Sequence, residues 1–458
     1  MSDGVRRRLV RGFGANAFGN VVTIVIQLVT VPVLLQSWGT RIYGEWLVLI
    51  AVAAFLAMSD WGFENTAGNE MTSALARSER DTAVSIFQSV SAMVALASAV
   101  LLVLSSAVAM LLPFEKWFEL RAIPPRALVL ITVALVAHVA VLLQGGVIRA
   151  AFRATGDYAV GVMLSHIARI ADAGVVVASA LLGGSPLHAA LLMLIARILV
   201  TLFSWRQLSG RNPWVRFGFR HATLVTMRRM LPGAMSMMAF PLGYATSLHG
   251  MVAAVGLVLG PAAVVAFATF RTLSRLVYQL GGVVSNAVWP EISFAFGSKD
   301  STMVRELHRR ACQVVVWLVV PAGVALALSG RVLLTVWTGG SVPYVRPLFY
   351  ILLAVAVIEA IWTASAVALL GVGKHHGIAR AYLVGAAFSV ALAIVVMPRF
   401  GVTGAAAALL VVAIVFAPYV LEKSLTLTGD TLPRFLRVVL RPPSLPGLLR
   451  KRPLAESV

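Results

Sequence analysis

The sequence predicts an all-α integral membrane protein of about twelve transmembrane helices in two halves of six. Three observations support this fold class. The chain of 458 residues is 59% hydrophobic, and its mean hydropathy of +0.90 lies far above that of an ordinary soluble domain. It divides into apolar runs of about 20 residues, the length that crosses a bilayer. Its basic residues collect in alternate loops, as they do in multi-spanning proteins.

The apolar runs place twelve predicted spans along the chain. They cover residues 13–36, 42–64, 84–112, 126–148, 158–182, 187–207, 231–255, 262–289, 311–329, 346–371, 377–398 and 402–422. If the N-terminus lies inside, the inner loops and termini hold 27 basic residues and the outer loops hold 7. This bias predicts an even number of spans with both termini cytoplasmic.

The halves resemble each other as a parallel repeat. We expect an N-terminal lobe at 1–207, a cytoplasmic linker at 208–230, a C-terminal lobe at 231–424 and a basic cytoplasmic tail at 425–458. The linker's HATLVTMRRML stretch predicts an amphipathic helix along the membrane surface, and the tail is expected on anionic lipid. Pro32 interrupts span one, and Pro241 and Gly243 interrupt span seven. Interrupted helices at matching positions indicate hinges.

Arg271 and Arg275 lie four residues apart within the apolar eighth span. A charge at this depth costs several kcal/mol, so such residues face a protein interior or a wet cavity. Two like charges on one helix face also repel each other. The pair is therefore our first candidate for binding an anionic substrate.

Arg197 and Arg169 are also within spans, as is Asp172. Guanidinium groups bind phosphate oxygens in a bidentate way, and a low dielectric strengthens each contact. The alternative is that each arginine is paired with a buried carboxylate as a link between helices. Arg169 has Asp172 three residues away, and Glu359 or Asp60 could be a cross-helix partner for Arg271 and Arg275.

Acidic residues are candidates for ion coupling, because intramembrane acids often titrate during transport. Glu359, Asp172 and Asp60 are the candidates, and a salt bridge to an arginine is the alternative for each. Arg149 and Arg153, at the inner end of span four, are candidates for a cytoplasmic entrance, with snorkelling to the interface as the alternative. His138, His166 and His249 occur singly and are read as packing residues.

Several function classes are disfavoured. The chain has no phosphate-binding loop or nucleophile elbow, and its single cysteine, Cys312, allows neither an internal disulfide nor a thiolate metal cluster. We therefore predict a transporter without cofactor or nucleic-acid partner. A membrane glycosyltransferase or ligase would need large catalytic loops with paired carboxylates, whereas the longest outer loop, Pro113 to Pro125, offers only Glu115 and Glu119.

Four segments carry a resemblance to a known family. They are the opening of span one, SWGTRIYGEW (Ser37 to Trp46), AMSDWGFENTAGNE at the end of span two, and the Gly-Lys turn after span ten. They resemble bacterial oligosaccharide flippases of the O-antigen (Wzx) type, within the superfamily of multidrug exporters and lipid II flippases. One departure is that span seven offers only His249 where many relatives carry an acid.

The resemblance implies a two-lobed bundle around a central cavity that opens to each side in turn. It implies transport of an undecaprenyl-pyrophosphate-linked glycan to the outer leaflet of the bacterial inner membrane, for O-antigen, capsule or exopolysaccharide synthesis. Membrane lipids and a polysaccharide polymerase or assembly machinery are the partners it implies. The alternative is a multidrug or cation exporter of the same superfamily. A cationic substrate favours acids in the cavity, and four of the six charges assigned to mid-span positions are arginines.

Overall fold

A computed structural model describes residues 3–58 and 62–443, with side chains described for 18–57, 62–232, 235 and 238–443. Every regular element in this part of the chain is helical. The helices are α1 (Asp3–Met58), α2 (Phe63–Ala76), α3 (Arg80–Leu111), α4 (Phe114–Trp117), α5 (Pro125–Ala154), α6 (Tyr158–Leu181), α7 (Pro186–Arg211), α8 (Leu224–Ala245), α9 (Met251–Gly297), α10 (Ser301–Thr338), α11 (Arg346–Gly371), α12 (His376–Thr428) and α13 (Leu432–Val439). A π-helical turn, Thr246–Gly250, joins α8 to α9.

Three helices are too long for one crossing. α12 has 53 residues, a length of roughly 80 Å against a hydrocarbon layer of about 30 Å. Its backbone leaves the helical conformation at Gly401, as α1 does at Gly39 and α9 at Gly260. When α8, the π-helical turn and α9 are counted as one continuous helix, nine helices of the described chain are long and apolar enough to span a membrane. Dividing three of them at these glycines gives the twelve predicted spans.

The turns between spans repeat from one half of the chain to the other. Each of the five turns in the first half contains a residue with positive φ, and a counterpart lies about 220 positions later. The pairs are Gly39 with Gly260, Ser78 with Lys299, Glu119 with Gly340, Gly156 with Gly373, and Gly183 with Gly401. The prediction of two six-span halves in a parallel repeat is therefore confirmed.

Many large apolar side chains of the spans lie on the surface of the protein. Leu96, Val103, Val336 and Val395 are each more than half exposed, at 69%, 67%, 77% and 74%. A soluble protein rarely leaves so many large apolar side chains in water, whereas hydrocarbon solvates them. The chain is therefore a multi-pass membrane protein.

The described residues form two compact units that do not coincide with the sequence halves. The first extends to Leu273 and adds Arg331–Ile351 and Ala379–Val412. The second contains Ser274–Gly330, Leu352–Ile378 and the described residues from Ala413 onward. The division into lobes at 1–207 and 231–424 remains a prediction from the repeat.

Close contacts in the first unit fix the turn between spans one and two. A Cβ added to Gly44 would lie 2.3 Å from the carbonyl oxygen of Pro261, directly after the equivalent turn at Gly260. Glu45 is fully buried, and its carboxylate accepts backbone N–H groups from Arg121, Ala122 and Ile123 at 2.6 to 2.9 Å. A buried carboxylate is stable only with such donors, so Glu45 holds the neighbouring loop in place.

Two local expectations are corrected. Leu224 to Met230 begins α8 and is continuous with span seven, so the HATLVTMRRML stretch does not form a separate surface helix. Pro32 lies inside α1 without breaking it, since the non-helical residue of that helix is Gly39. A proline removes one backbone hydrogen bond, but the neighbouring turns of α1 remain helical.

Candidate binding cavity

A cavity of about 490 Å³ lies within the first unit, among α1, α2, α5, α6, α7 and α8. Three of the sequence-predicted arginines line it: Arg149, Arg169 and Arg197. The remaining lining residues are mostly apolar or small, namely Ala57, Gly62, Asn65, Leu142, Leu143, Gly146, Ser165, Met238 and Pro241. The cavity therefore combines concentrated positive charge with an apolar wall.

Arg197 is held by a buried polar cluster. Its Nη2 donates to Oδ2 of Asp172, and its Nε lies 3.3 Å from Nε2 of His138. The same histidine nitrogen lies 3.2 Å from Asp172 Oδ2, so it accepts from Arg197 in one tautomer or donates to Asp172 in the other. The sequence left open whether Arg197 has a carboxylate partner, and the structure provides one.

One carboxylate oxygen of Asp172 has no hydrogen-bond partner among the described residues. Its Oδ1 is buried and makes no hydrogen bond with any described residue. A buried unsatisfied acceptor is costly, and a proton or a cation would satisfy it.

Arg149 is paired with Glu64 from α2. Its Nε and Nη2 donate to the two carboxylate oxygens at 3.0 and 2.6 Å. Gly146 leaves room for this pair, because a Cβ there would lie 3.0 Å from Glu64 Oε2 and 3.3 Å from Arg149 Nη2. The neighbouring Arg153 donates to Asn69 Oδ1 at 2.9 Å and does not line the cavity.

Arg169 differs from the other two arginines. Its Nη1 donates to the hydroxyl of Thr23 at 2.6 Å, and the side chain is exposed to the cavity. No carboxylate of the described residues lies within salt-bridge distance of it, because Asp172 is directed to Arg197 instead. The predicted alternative of an Arg169–Asp172 pair is therefore wrong. Among the described residues that line the cavity, Arg169 is thus the arginine without a carboxylate at salt-bridge distance.

Arg271 contacts the π-helical turn Thr246–Gly250. Its Nη1 donates to the carbonyl oxygen of Leu248 at 3.2 Å, and it is only 6% exposed. A π-turn displaces backbone carbonyls from regular helical bonding, so a buried guanidinium is a suitable donor for this one. The structure thus gives Arg271 a contact that the sequence did not suggest.

Arg275 has the acidic partner that the sequence offered as an alternative. Within the second unit its Nη1 lies 3.4 Å from Oε2 of Glu359, and its guanidinium lies over the ring of Tyr278 at 4.5 Å. Both members of the pair are 12% exposed. Neither Arg271 nor Arg275 lines the 490 Å³ cavity, so their role in substrate binding stays a prediction.

The remaining candidates are distributed as follows. Pro241 and Gly243 lie inside α8 without breaking it, so the predicted interruption of span seven at these residues is wrong. Pro241 lines the cavity, while Gly243 packs against Tyr382 and Leu383, where a Cβ would lie 2.8 Å from the tyrosine ring. Asp60 lies outside the described residues. In the described part of the chain, no group of three His, Cys, Asp or Glu side chains is arranged to hold a metal ion.

Two contributors were not identified from the sequence. Glu64 belongs to the AMSDWGFENTAGNE segment, but nothing in that segment indicated that it would meet Arg149. Thr23 looks like an ordinary helix residue in the sequence. In the structure its hydroxyl also donates to the Gly19 carbonyl at 2.8 Å, a bond within one helix. For α2, the available sequence signal was the four-residue spacing of Asn65 and Asn69, which places both residues on one helix face.

Solved structures with the same fold are membrane transporters of low sequence identity. An inward-facing multidrug resistance MATE family transporter of the MOP superfamily is 12% identical, with 90% of this chain and 94% of that chain covered and a TM-score of 0.68. The lipid II flippase MurJ, in an inward closed conformation, is 15% identical, with coverage of 93% and 90% and a TM-score of 0.70.

A third structure is a MOP superfamily transporter from Pyrococcus furiosus, described as having a binding pocket of reverse polarity. It is 12% identical, with coverage of 92% and 94% and a TM-score of 0.57. No family model and no curated protein matches the chain. The chain therefore has the fold of the MOP superfamily transporters.

Proposed function

We propose that this protein is a flippase that moves a polyprenyl-diphosphate-linked glycan from the inner to the outer leaflet by alternating access. The observation that carries the proposal is Arg169, which faces an intramembrane cavity without a carboxylate partner among the described residues. A charge at this depth is expensive to keep. An anionic ligand that visits the cavity offsets that expense.

A diphosphate fits the chemistry of the three arginines. Each guanidinium has a planar set of donors that matches phosphate oxygens, and the apolar wall strengthens the attraction. Glu64 and Asp172 neutralise Arg149 and Arg197, so the described cavity residues carry one net positive charge rather than three. The ligand can then exchange contacts with these acids and leave again.

The volume suits only part of the substrate. About 490 Å³ lies within the usual range of small-ligand pockets, about 300–1,000 Å³. It can hold the diphosphate and the first sugar, while the polyprenyl chain stays in the lipid. This division accords with the resemblance to oligosaccharide flippases.

Asp172 is our candidate for coupling transport to an ion. Its buried Oδ1 has no partner among the described residues, and its Oδ2 holds Arg197. Binding of a proton or cation to Asp172 weakens its attraction for Arg197 and frees the guanidinium for phosphate. Glu359 stands in the same relation to Arg275, so we keep that pair as a second candidate.

The comparisons support the proposal at the level of the fold. One structure with this fold is named a lipid II flippase, so the fold can serve a lipid-linked substrate. Another is named a multidrug transporter, which keeps a drug exporter as the alternative. The positive balance of the charges on the described cavity residues disfavours a cationic drug.

The test is transport by reconstituted full-length protein. A fluorescent polyprenyl-diphosphate oligosaccharide in proteoliposomes is scored by its accessibility to an added reductant. The Arg169→Gln variant loses a charge-assisted contact worth about 2 kcal/mol. It should therefore flip the labelled lipid more slowly, on the order of thirtyfold. Arg169→Lys should keep part of the rate, and the control Arg399→Gln, an exposed arginine outside the cavity, should keep all of it.

Two outcomes contradict the proposal. If Arg169→Gln flips the labelled lipid at the unmodified rate, the cavity is not the phosphate site. If the unmodified protein leaves the lipid untouched but exports a cationic dye when an ion gradient is imposed, the drug-exporter alternative is correct.

A further inference from the structure

The short helix α13 (Leu432–Val439) has an unusual division of its surface. Phe435 and Val439 are each 4% exposed and pack against the protein, whereas Leu432, Leu436 and Leu440 are 48%, 38% and 64% exposed. These leucines recur every four residues and so form one stripe. A third face is basic, with exposed Arg434, Arg437 and Arg441.

α13 is fastened to α10 of the same unit. Arg309 donates from Nε and Nη2 to the two carboxylate oxygens of Asp430 at 2.6 and 2.5 Å. The ring of Phe435 stacks on that of His308 with centroids 5.2 Å apart. The Gln313 amide donates to the carbonyl of Val438 at 3.0 Å. The helix therefore has a defined position and is not a loose tail.

A tryptophan indicates the depth of α13. Nε1 of Trp317 on α10 donates to the carbonyl of Val439 at 3.1 Å, and the indole is 41% exposed. Partly exposed tryptophans of membrane proteins concentrate at the level of the lipid headgroups. The contact with Trp317 therefore favours a position of the C-terminal end of α13 near that level, where exposed leucines can enter the acyl region and arginines can reach phosphates.

The basic face has no acidic complement in the described protein. No salt bridge joins Arg434, Arg437 or Arg441 to a carboxylate of the described residues. Three arginines beside an apolar stripe match the charge and the layering of an anionic leaflet. A soluble acidic protein would match the arginines but would leave the leucine stripe in water.

We propose that α13 is a binding site for anionic phospholipid, with the leucine stripe inserted at the interface and the three arginines on the headgroup phosphates. Since Arg309 and Asp430 attach α13 to α10, the bound lipid also stabilises the docked position of this helix. The proposal is independent of the transported substrate.

The experiment measures amide hydrogen exchange of residues 432–441 in the full-length protein. The protein is placed in nanodiscs of phosphatidylcholine alone or mixed with phosphatidylglycerol. We expect phosphatidylglycerol to slow exchange in this segment and high salt to reverse the effect. With about 1 kcal/mol for each basic residue, each arginine should change lipid affinity about fivefold.

The test variant is Arg434→Gln, Arg437→Gln and Arg441→Gln together. It should lose the response to phosphatidylglycerol while the exchange of α11 stays unchanged, which shows that the protein is folded. The control is Arg80→Gln, Lys299→Gln and Lys374→Gln, which removes three exposed cations from separate turns and should leave the response intact.

A second variant tests the apolar stripe. Leu432→Ser, Leu436→Ser and Leu440→Ser should weaken the slowing of exchange but keep its salt sensitivity. Equal exchange of residues 432–441 in both lipid mixtures would overturn the proposal, as would an unchanged response in the triple arginine variant. A response to soluble glycerol phosphate alone, without a bilayer, would show an anion site in place of a lipid site.

Discussion

At the scale of the residue, the meaning of an intramembrane charge depends on its neighbour. Arg197 and Arg169 look alike in the sequence, since each lies in an apolar run. In the structure, Arg197 donates a hydrogen bond to Asp172, whereas Arg169 donates one to the hydroxyl of Thr23. Arg197 is thus a link between helices that also lines the cavity, whereas Arg169 forms no salt bridge with a described carboxylate.

The Arg197–Asp172 pair should behave as a coupled unit. Removing one partner of a buried pair leaves an uncompensated charge, so Asp172→Asn and Arg197→Met should each lower the free energy of unfolding by about 3 kcal/mol. The double variant should recover part of this loss. Thermal unfolding in detergent measures all three variants.

The control for this cycle is an exposed pair. Glu422 and Lys423 lie 3.3 Å apart with side chains 67% and 45% exposed, and such pairs contribute little. Removing the charges of Glu422 and Lys423 should leave the unfolding temperature nearly unchanged. Strictly additive losses in the Arg197 and Asp172 cycle would show that the two residues do not depend on each other.

At the scale of the element, single glycines divide long helices into pairs of spans. Gly39 has φ 70° and ψ 170°, and Gly260 has φ 77° and ψ 174°, nearly the same conformation. A residue with a Cβ rarely adopts it. The turn at Gly260 also meets Gly44 through Pro261, so equivalent turns of the two halves support each other.

Gly44→Ala should therefore be poorly tolerated. Its new methyl group would lie 2.3 Å from the Pro261 carbonyl, and a backbone atom cannot move aside easily. Overpacking of this kind costs about 1–3 kcal/mol, which thermal unfolding in detergent will detect. Gly282→Ala is the matched control, because a Cβ there meets nothing within 4 Å, and an unfolding temperature equal to that control would contradict the prediction.

The attachment of α13 should depend on pH only in acid. Hydrogen bonds from Arg309 lower the pKa of Asp430, so this pair stabilises docking above the ordinary carboxyl pKa of about 3.9. That contribution is lost as the pH falls through the lowered pKa of the folded state. Exchange of the Phe435 and Val439 amides should thus stay constant from about pH 8 to pH 5 after correction for intrinsic rates.

Asp430→Asn supplies the reference for that measurement. It removes the ion pair at every pH, so exchange in α13 should be fast throughout. If the unmodified protein releases α13 near neutral pH, a group other than Asp430 controls docking.

At the scale of the whole molecule, the bias of basic residues predicts the orientation of the protein. Ser78 and Lys374 lie in turns predicted to be cytoplasmic, and Lys116 and Ser341 in turns predicted to be external. All four are exposed, and the single native cysteine, Cys312, is buried. These positions allow the orientation to be tested by labelling.

Single cysteines can be placed at these positions in a Cys312→Ala background. A membrane-impermeant maleimide added to intact cells should label Lys116→Cys and Ser341→Cys. It should label Ser78→Cys and Lys374→Cys only after the membrane is opened. The reverse pattern would show that the termini are external and would exchange the two faces of the proposed transport cycle.

The sequence by itself determined the twelve spans, their division into two halves and the presence of buried arginines. These follow from segment length, hydropathy and charge, which are local properties read along the chain. It also placed the boundary between spans one and two, although it attributed an interruption to Pro32, where α1 continues.

Only the tertiary structure decided which charges meet. Glu64 with Arg149, Asp172 with Arg197 and the carbonyl of Leu248 with Arg271 are contacts between residues at least 23 positions apart. Such partners are chosen by how helices pack, and a periodic pattern within one helix carries no information about the facing helix. For that reason the candidate site moved from Arg271 and Arg275 to the cavity around Arg169.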